Sequence, residues 1–156
     1  MIKIIPATTH DFESIKELHQ EISDLHAEWA GWNFQKLSVS LNKEYFESRL
    51  EKENAYFLLA QIDWKIAGYI AFELRKSENI DILKDRKWIF IEDICVSSKF
   101  RNKWIGSTLL RYVEEYAKSY HIDSIELSVW TFNSEAIDFY KKRWFEEFSV
   151  KMHKNI

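Results

Sequence analysis

The stretch WIFIEDICVSSKFRNKWIGSTLLRYVEEYAKSYH, residues 88–121, constrains the fold more than any other. It is an apolar run interrupted by two acids, then a basic turn, then a stretch with helical spacing. Ile105, Leu109, Val113, Tyr116 and Tyr120 recur at three- or four-residue intervals, with Arg111, Glu114 and Lys118 largely opposite. That pattern makes an amphipathic helix. The turn carries Arg101, Asn102, Lys103, Gly106 and Ser107. A helix N-terminus leaves N–H groups unpaired and carries a partial positive charge. With Arg101 and Lys103 added, a diphosphate fits there. From these residues alone, an ordinary basic loop before a helix is the preferred reading. Trp104 is out of place, because such turns want small residues where backbone meets phosphate.

The rest of the chain alternates in the same way. IKII (2–5) reads as a strand closed by Pro6, and residues 9–29 as a helix capped by Thr9 or Asp11. Its apolar face is Phe12, Ile15, Leu18, Ile22 and Leu25. Residues 41–53 read as a second helix, with Ser40 as its cap. Strands 55–62 and 65–74 are joined by Asp63-Trp64. A two-residue hairpin turn of type I′ needs positive φ at both positions, which strains a tryptophan. Residues 75–87 form a charged connection. After strand 88–96 and helix 104–121 come a strand at 124–130, a helix at 133–144 capped by Asn133, and a last strand at 145–154. This order predicts a mixed α/β fold with one central sheet, and a single domain over 1–156.

Composition narrows the classes. The formal net charge is −3, with no basic excess for nucleic acid. One cysteine, Cys95, excludes a disulfide within the chain. No apolar run approaches the ~20 residues of a membrane span, and the first residues lack a signal-peptide core. The expectation is a soluble cytoplasmic protein with no membrane partner.

IEDICVSSKFRNKWIGSTLL followed by IELSVWTFNSEAIDFYKKRWF closely resembles the GNAT superfamily of N-acetyltransferases. One signature is Arg or Gln, two variable residues, Gly, one variable residue, then Gly or Ala; here it reads Arg101, Asn102, Lys103, Trp104, Ile105, Gly106. The later one is Asn133, Ala136 and Tyr140, then Arg143-Trp144-Phe145 where Leu-Gly-Phe is usual. The resemblance implies the GNAT fold, a mostly antiparallel sheet flanked by helices. It implies acetyl-CoA as donor, a primary amine of a small molecule or protein as acceptor, direct transfer and a homodimer. Main-chain groups of Ile94, Cys95 and Val96 would meet the pantetheine arm, with the Val96 N–H on the thioester carbonyl. Residues Asn102 to Ser107, including Lys103, Trp104, Ile105 and Gly106, would cradle the diphosphate, with Arg101 anchoring the turn. Asn133 and Ala136 would line the arm, and Tyr140 would serve as acid near the sulfur. Three tryptophans, Trp64, Trp104 and Trp144, sit where relatives typically carry glycine.

Glu92 and Asp93 are the candidate bases, Glu92 first. Regular alternation puts them on opposite faces, Glu92 with Ile94 and Val96, where desolvation raises its pKa. The plain alternative is an ion pair with a nearby Lys or Arg. Cys95 reads as an inert core thiol. The histidines show no metal-ligand spacing, so no metal is expected, and His19 and His26 read as surface residues or the end of the first helix. Trp29, Trp32 and Phe34 either line an acceptor cleft, with Asp24 and Glu28 attracting a cationic amine, or plug the core beneath the loop or bury a dimer contact. Two rival readings are a non-catalytic acyl-CoA-binding or interaction module that keeps the fold, and a small nucleic-acid-binding domain using 101–103 and 141–143. The net charge opposes the latter.

Overall fold

A computed structural model describes residues 1–77, 84–101 and 103–154. Asn102 and most of the charged connection after residue 77 therefore lie outside the described residues. The strands are β1 (Lys3–Pro6), β2 (Ala55–Ile62), β3 (Lys65–Lys76), β4 (Lys87–Val96) and β5 (Ser124–Leu127). The helices are α1 (Phe12–Trp29), α2 (Lys43–Glu51), α3 (Ile105–Ser119) and α4 (Ser134–Lys141). The sheet runs β1-β2-β3-β4-β5, antiparallel except for the parallel β4–β5 pair. This is the single central sheet that the element order predicts, with the mostly antiparallel pairing that the resemblance implies.

Each face of the sheet has its own apolar layer. On one, Leu58, Ile70, Phe72, Ile89 and Ile91 pack against Ile105, Leu109, Leu110 and Val113 of α3. On the other, Leu59, Tyr69 and Cys95 pack against Phe12, Ile15 and Leu18 of α1 and Phe46 of α2. Each fully buried Leu, Ile or Phe stabilises by about 1.5–3 kcal/mol relative to exposure. The Cys95 thiol donates to the Leu18 carbonyl at 3.2 Å, tying β4 to α1.

A β-bulge in β4 sets the geometry. Ala71 pairs with Asp93, but Phe72 pairs with Ile91, so Glu92 is the extra residue. The regular alternation expected for this strand fails here. Ile91, Ile94 and Val96 pack with the α3 layer. Glu92 and Asp93 instead both meet the other face, bonding Arg49 of α2 and Tyr69 respectively. The bulge bends the strand, and parallel pairing with β5 stops at Ile91–Leu127. Residues 128–130, expected in the strand, lie beyond it.

The last strand expected at 145–154 is not formed. Phe148, Val150 and Met152 alternate as a strand should, yet they are 80%, 76% and 86% exposed. Alternation supplies a face, but a strand also needs a partner edge, and these residues pair with none among the described residues. Asp11, one of the two caps expected, is the N-cap residue of α1, with its side chain turned back in a capping box with Thr8, and Asn42 rather than Ser40 caps α2 through the Tyr45 N–H at 2.9 Å.

The three tryptophans in glycine-like places all adopt left-handed backbone. Trp64, Trp104 and Trp144 have φ of 67°, 61° and 64°, and Asp63, beside Trp64, has 47°. Trp144 follows α4 in a Schellman cap. The Phe145 N–H donates to the Tyr140 carbonyl at 3.2 Å and the Trp144 N–H to Lys141 at 3.1 Å. The Phe145 ring packs 5.5 Å from Tyr140, the apolar contact that accompanies this cap. The Trp144 side chain is 93% exposed, so it returns little for its strain. Trp144→Gly is expected to stabilise the protein by about 1 kcal/mol, read as a rise of ~2–4 °C in melting temperature; an unchanged or lower value would contradict the strain.

Charge pins α2 to the sheet. Glu73, with its side chain 9% exposed, accepts from Arg49 at 2.6 Å and also from Lys52, and pairs with Arg75 at 3.2 Å. Burial alone would raise the Glu73 carboxyl, but these cations win and hold it down at about 2, from an ordinary 4.5. A depressed carboxyl stabilises fully above its unfolded value and loses that stabilisation as pH falls. Urea midpoints should therefore drop between about pH 4.5 and about pH 2. Glu73→Gln should be less stable at neutral pH and show a shallower drop in that window.

Candidate functional site

The candidate site lies where β4 and β5 part. The Ser97 N–H bonds the Ala67 carbonyl at 3.0 Å, across the β3–β4 pair. Successive N–H groups along a strand point to opposite edges, so the Val96 N–H points away from β3. On that side β5 no longer pairs with β4. The result is a slot with an unladdered donor on its wall. Close packing shapes this end of β4. A Cβ on Gly68, opposite Val96, would lie 2.6 Å from the Cys95 carbonyl, so only glycine fits.

The first turn of α3 closes the other side. A Cβ on Gly106 would lie 3.4 Å from the Phe139 ring and 3.6 Å from the Val96 side chain. Val96, α3 and α4 therefore converge at that glycine. Trp104 is the N-cap residue of α3, with its side chain 78% exposed. The indole points away from the turn, and the carbonyl still accepts the Thr108 N–H at 2.9 Å. The N–H groups of Ile105, Gly106 and Ser107 head the helix and have no intrahelical partner. Arg101 and Lys103 are exposed beside them, with the Lys103 ammonium 5.2 Å from the Phe100 ring. Glu21 of α1 accepts the Ser98 N–H at 2.8 Å and so steadies the approach to the turn. The expectation for Asn102 in this turn lies outside the described residues.

Helix α4 contributes the next wall. The Asn133 side-chain oxygen accepts the Ala136 N–H at 3.1 Å and caps the helix, which leaves its amide nitrogen as a donor. Tyr140, 8% exposed, packs between Phe139 and Phe145. Burial, then Asp93, pushes its hydroxyl well above the ordinary value, so it stays protonated.

The two acids diverge in their surroundings. Glu92 bonds Arg49, the ion pair that the plain alternative describes, and its other charged neighbours are Glu73, Arg75 and Lys52. Burial raises its carboxyl against the pull of Arg49. Asp93 accepts the Tyr69 hydroxyl, with His19 and His26 nearby. Burial raises the Asp93 carboxyl above the ordinary range, against the Tyr69 bond and the two imidazoles. His26 lies in the last turn of α1, the helix end that its sequence position allows, but is half-buried there, and burial lowers its pKa against the pull of Asp93. His19 bonds the Ser40 hydroxyl at 2.7 Å. The Cys95 thiol is pushed well up by burial.

His26 also opens an aromatic cluster. Phe34 lies 5.1 Å and Phe132 6.0 Å from its ring, and Trp29 lies 6.0 Å from Phe132. Trp130 packs on Phe34 at 5.1 Å. Trp29 and Trp130 remain 41% and 42% exposed, so the cluster is a wall rather than a core plug. Trp32 stands apart, 67% exposed and stacked on His153 at 5.2 Å. Glu28 is exposed at the end of α1. Sequence reasoning missed Tyr69, His26 and Arg49. The one available signal was the seven-residue step from His19 to His26, which keeps both on one helix face.

Among the described residues, no group of three or more His, Cys, Asp or Glu could hold a metal. No helix among them is long and apolar enough to cross a membrane.

The chain is similar to several known proteins. It is 26% identical over 93% of its length to the L-amino acid N-acetyltransferase AaaT of Escherichia coli K12, covering 83% of that protein. It is 30% identical over 78% of its length to the uncharacterized N-acetyltransferase MJ1207 of Methanocaldococcus jannaschii, of which it spans 47%. It thus spans less than two thirds of some curated relatives that it matches. The crystal structure of a tetramutant of BH1408 from Bacillus halodurans superposes with a TM-score of 0.95 at 26% identity, covering 99% of both chains. The profile of the acetyltransferase (GNAT) family matches residues 18–145, the span that holds the β4–β5 slot, the α3 turn and Tyr140, and the chain belongs to that family.

Proposed function

We propose that the protein is an N-acetyltransferase that transfers an acetyl group from acetyl-CoA directly to a primary amine in a ternary complex. The observation that carries this reading is the bulge at Glu92, which groups Asp93 with Tyr69, near His19 and His26, within electrostatic reach of Tyr140. Acetyl-CoA, when bound, supplies an activated acyl thioester. The parted strands and the unpaired N–H groups of α3 suit its arm and diphosphate.

The chain's own residues then divide the work. The Val96 N–H donates to the carbonyl oxygen as negative charge develops there. A free ammonium group has a pKa near ~10 and cannot attack until it loses a proton. Asp93, with His26 beside it, takes that proton, since a carboxyl raised by burial is a better base near neutral pH. Its placement favours it over Glu92, whose carboxylate is bonded to Arg49. Tyr140 keeps its proton and donates it to the departing thiolate.

The acceptor enters past the aromatic wall. Trp29, Phe34, Trp130 and Phe132 offer π faces, and Glu28 adds negative charge, a combination that suits a cationic amine. The L-amino acid N-acetyltransferase activity of the Escherichia coli relative AaaT makes amino acids the first acceptors to try.

A thiol-release assay with acetyl-CoA across amino acids, polyamines and N-terminal peptides tests the reading. Release with at least one amine is expected; binding of CoA with no release on any amine would favour the non-catalytic module. Tyr140→Phe should lower kcat about 10²-fold or more with CoA affinity unchanged. Asp93→Asn should lower kcat by a similar factor and remove the acid limb of the pH–rate profile. That limb should lie above the ordinary carboxylate range, because burial raises this carboxyl. Loss of the limb in Glu92→Gln instead would return the base to Glu92.

A further inference from the structure

Arg143 turns back from the end of α4 onto the first turn of α3. Its Nη1 donates to the Phe139 carbonyl at 2.8 Å, and its Nη2 donates to the Ser107 hydroxyl. Its Cζ lies 3.7 Å from the centroid of the Phe139 ring, the ring that closes on Gly106. Three contacts thus hold one half-buried guanidinium at the head of α3. A guanidinium has five N–H donors and no acceptor. The carbonyl and the hydroxyl occupy two, and no carboxylate pairs with Arg143 among the described residues.

A partly desolvated cation of this kind wants an anion. Its surroundings offer further donors for one. The Ser107 hydroxyl accepts from Arg143, so its own O–H is turned to donate elsewhere. The Thr108 hydroxyl donates to the Trp104 carbonyl at 2.9 Å and is unavailable as a donor. Lys103 and Arg101 are exposed, so their charges are less fixed than that of Arg143. A planar guanidinium also matches phosphate geometry with two parallel bonds, which a lysine cannot do.

We propose that Arg143 is a phosphate-binding residue of the donor site, holding the diphosphate of CoA against the N-terminus of α3 together with the Ser107 hydroxyl. This assignment rests on acetyl-CoA being the donor.

Binding measurements on the full chain test it without turnover. Calorimetry with CoA and dephospho-CoA, and NMR titration with S-acetylpantetheine, would compare the unsubstituted protein with Arg143→Leu, which keeps apolar packing on Phe139, and Arg143→Lys. Melting temperatures would confirm that both variants are folded. Arg143→Leu should weaken CoA and dephospho-CoA alike, by about 10- to 100-fold, with a flatter dependence on salt and unchanged S-acetylpantetheine binding. Arg143→Lys should recover part of the loss. Equal weakening of all three ligands would make Arg143 a structural clamp and overturn the proposal. So would no weakening, or a loss seen with CoA but not dephospho-CoA, which would place the contact on the 3′-phosphate. If the unsubstituted protein binds neither nucleotide, the donor reading fails and this assignment falls with it.

Discussion

The bulge at Glu92 is the constraint on which the rest depends. One extra residue in β4 changes what every later side chain faces. It turns Asp93 onto the layer of α1, next to Tyr69, and returns Ile94 and Val96 to the layer of α3. It also coincides with the end of β4–β5 pairing, and the slot begins there. A regular strand would keep Glu92 and Asp93 on opposite faces. The bulge costs ladder bonds locally, but buried apolar layers on both sides of the sheet hold it in place.

Much of the fold was legible because periodicity and turn chemistry are local. The spacing in α3 and α1 and the hairpin turn at Asp63-Trp64 all follow from neighbours within a few residues. What failed was non-local. Residues 145–154 carry a strand pattern, but pairing depends on an edge that sequence neighbours do not specify. The cap of α2 moved by two residues, from Ser40 to Asn42, because adjacent polar side chains could accept the same N–H groups.

The site was legible in its motifs and not in its acids. Gly106, Asn133 and Tyr140 could be named by the resemblance; in the fold Gly106 meets Phe139 and Val96, and Asn133 caps the helix that carries Tyr140. Glu92 and Asp93 could be named and Glu92 put first, but the face each occupies could not be read, since a bulge leaves no mark in a run such as IFIEDICV. An ion pair was open as an alternative for either acid, but Arg49 lies far from Glu92 in sequence, so the partner could not be named. The surroundings of His26 at the end of the first helix could not be read, because nothing local announces Phe34 and Phe132 beside it.

The left-handed tryptophans carry a consequence for how this chain tolerates change. All three side chains are at least 78% exposed, so their strain is not offset by burial. They occupy three separate places, a hairpin tip, a helix start and a helix end. Stability is thus left unclaimed at the surface while the two apolar layers are fully formed. A protein in that condition has a simple route to absorb damaging substitutions elsewhere, because relief at one turn can offset a cavity in the core. Its reserve of mutational robustness lies in its turns.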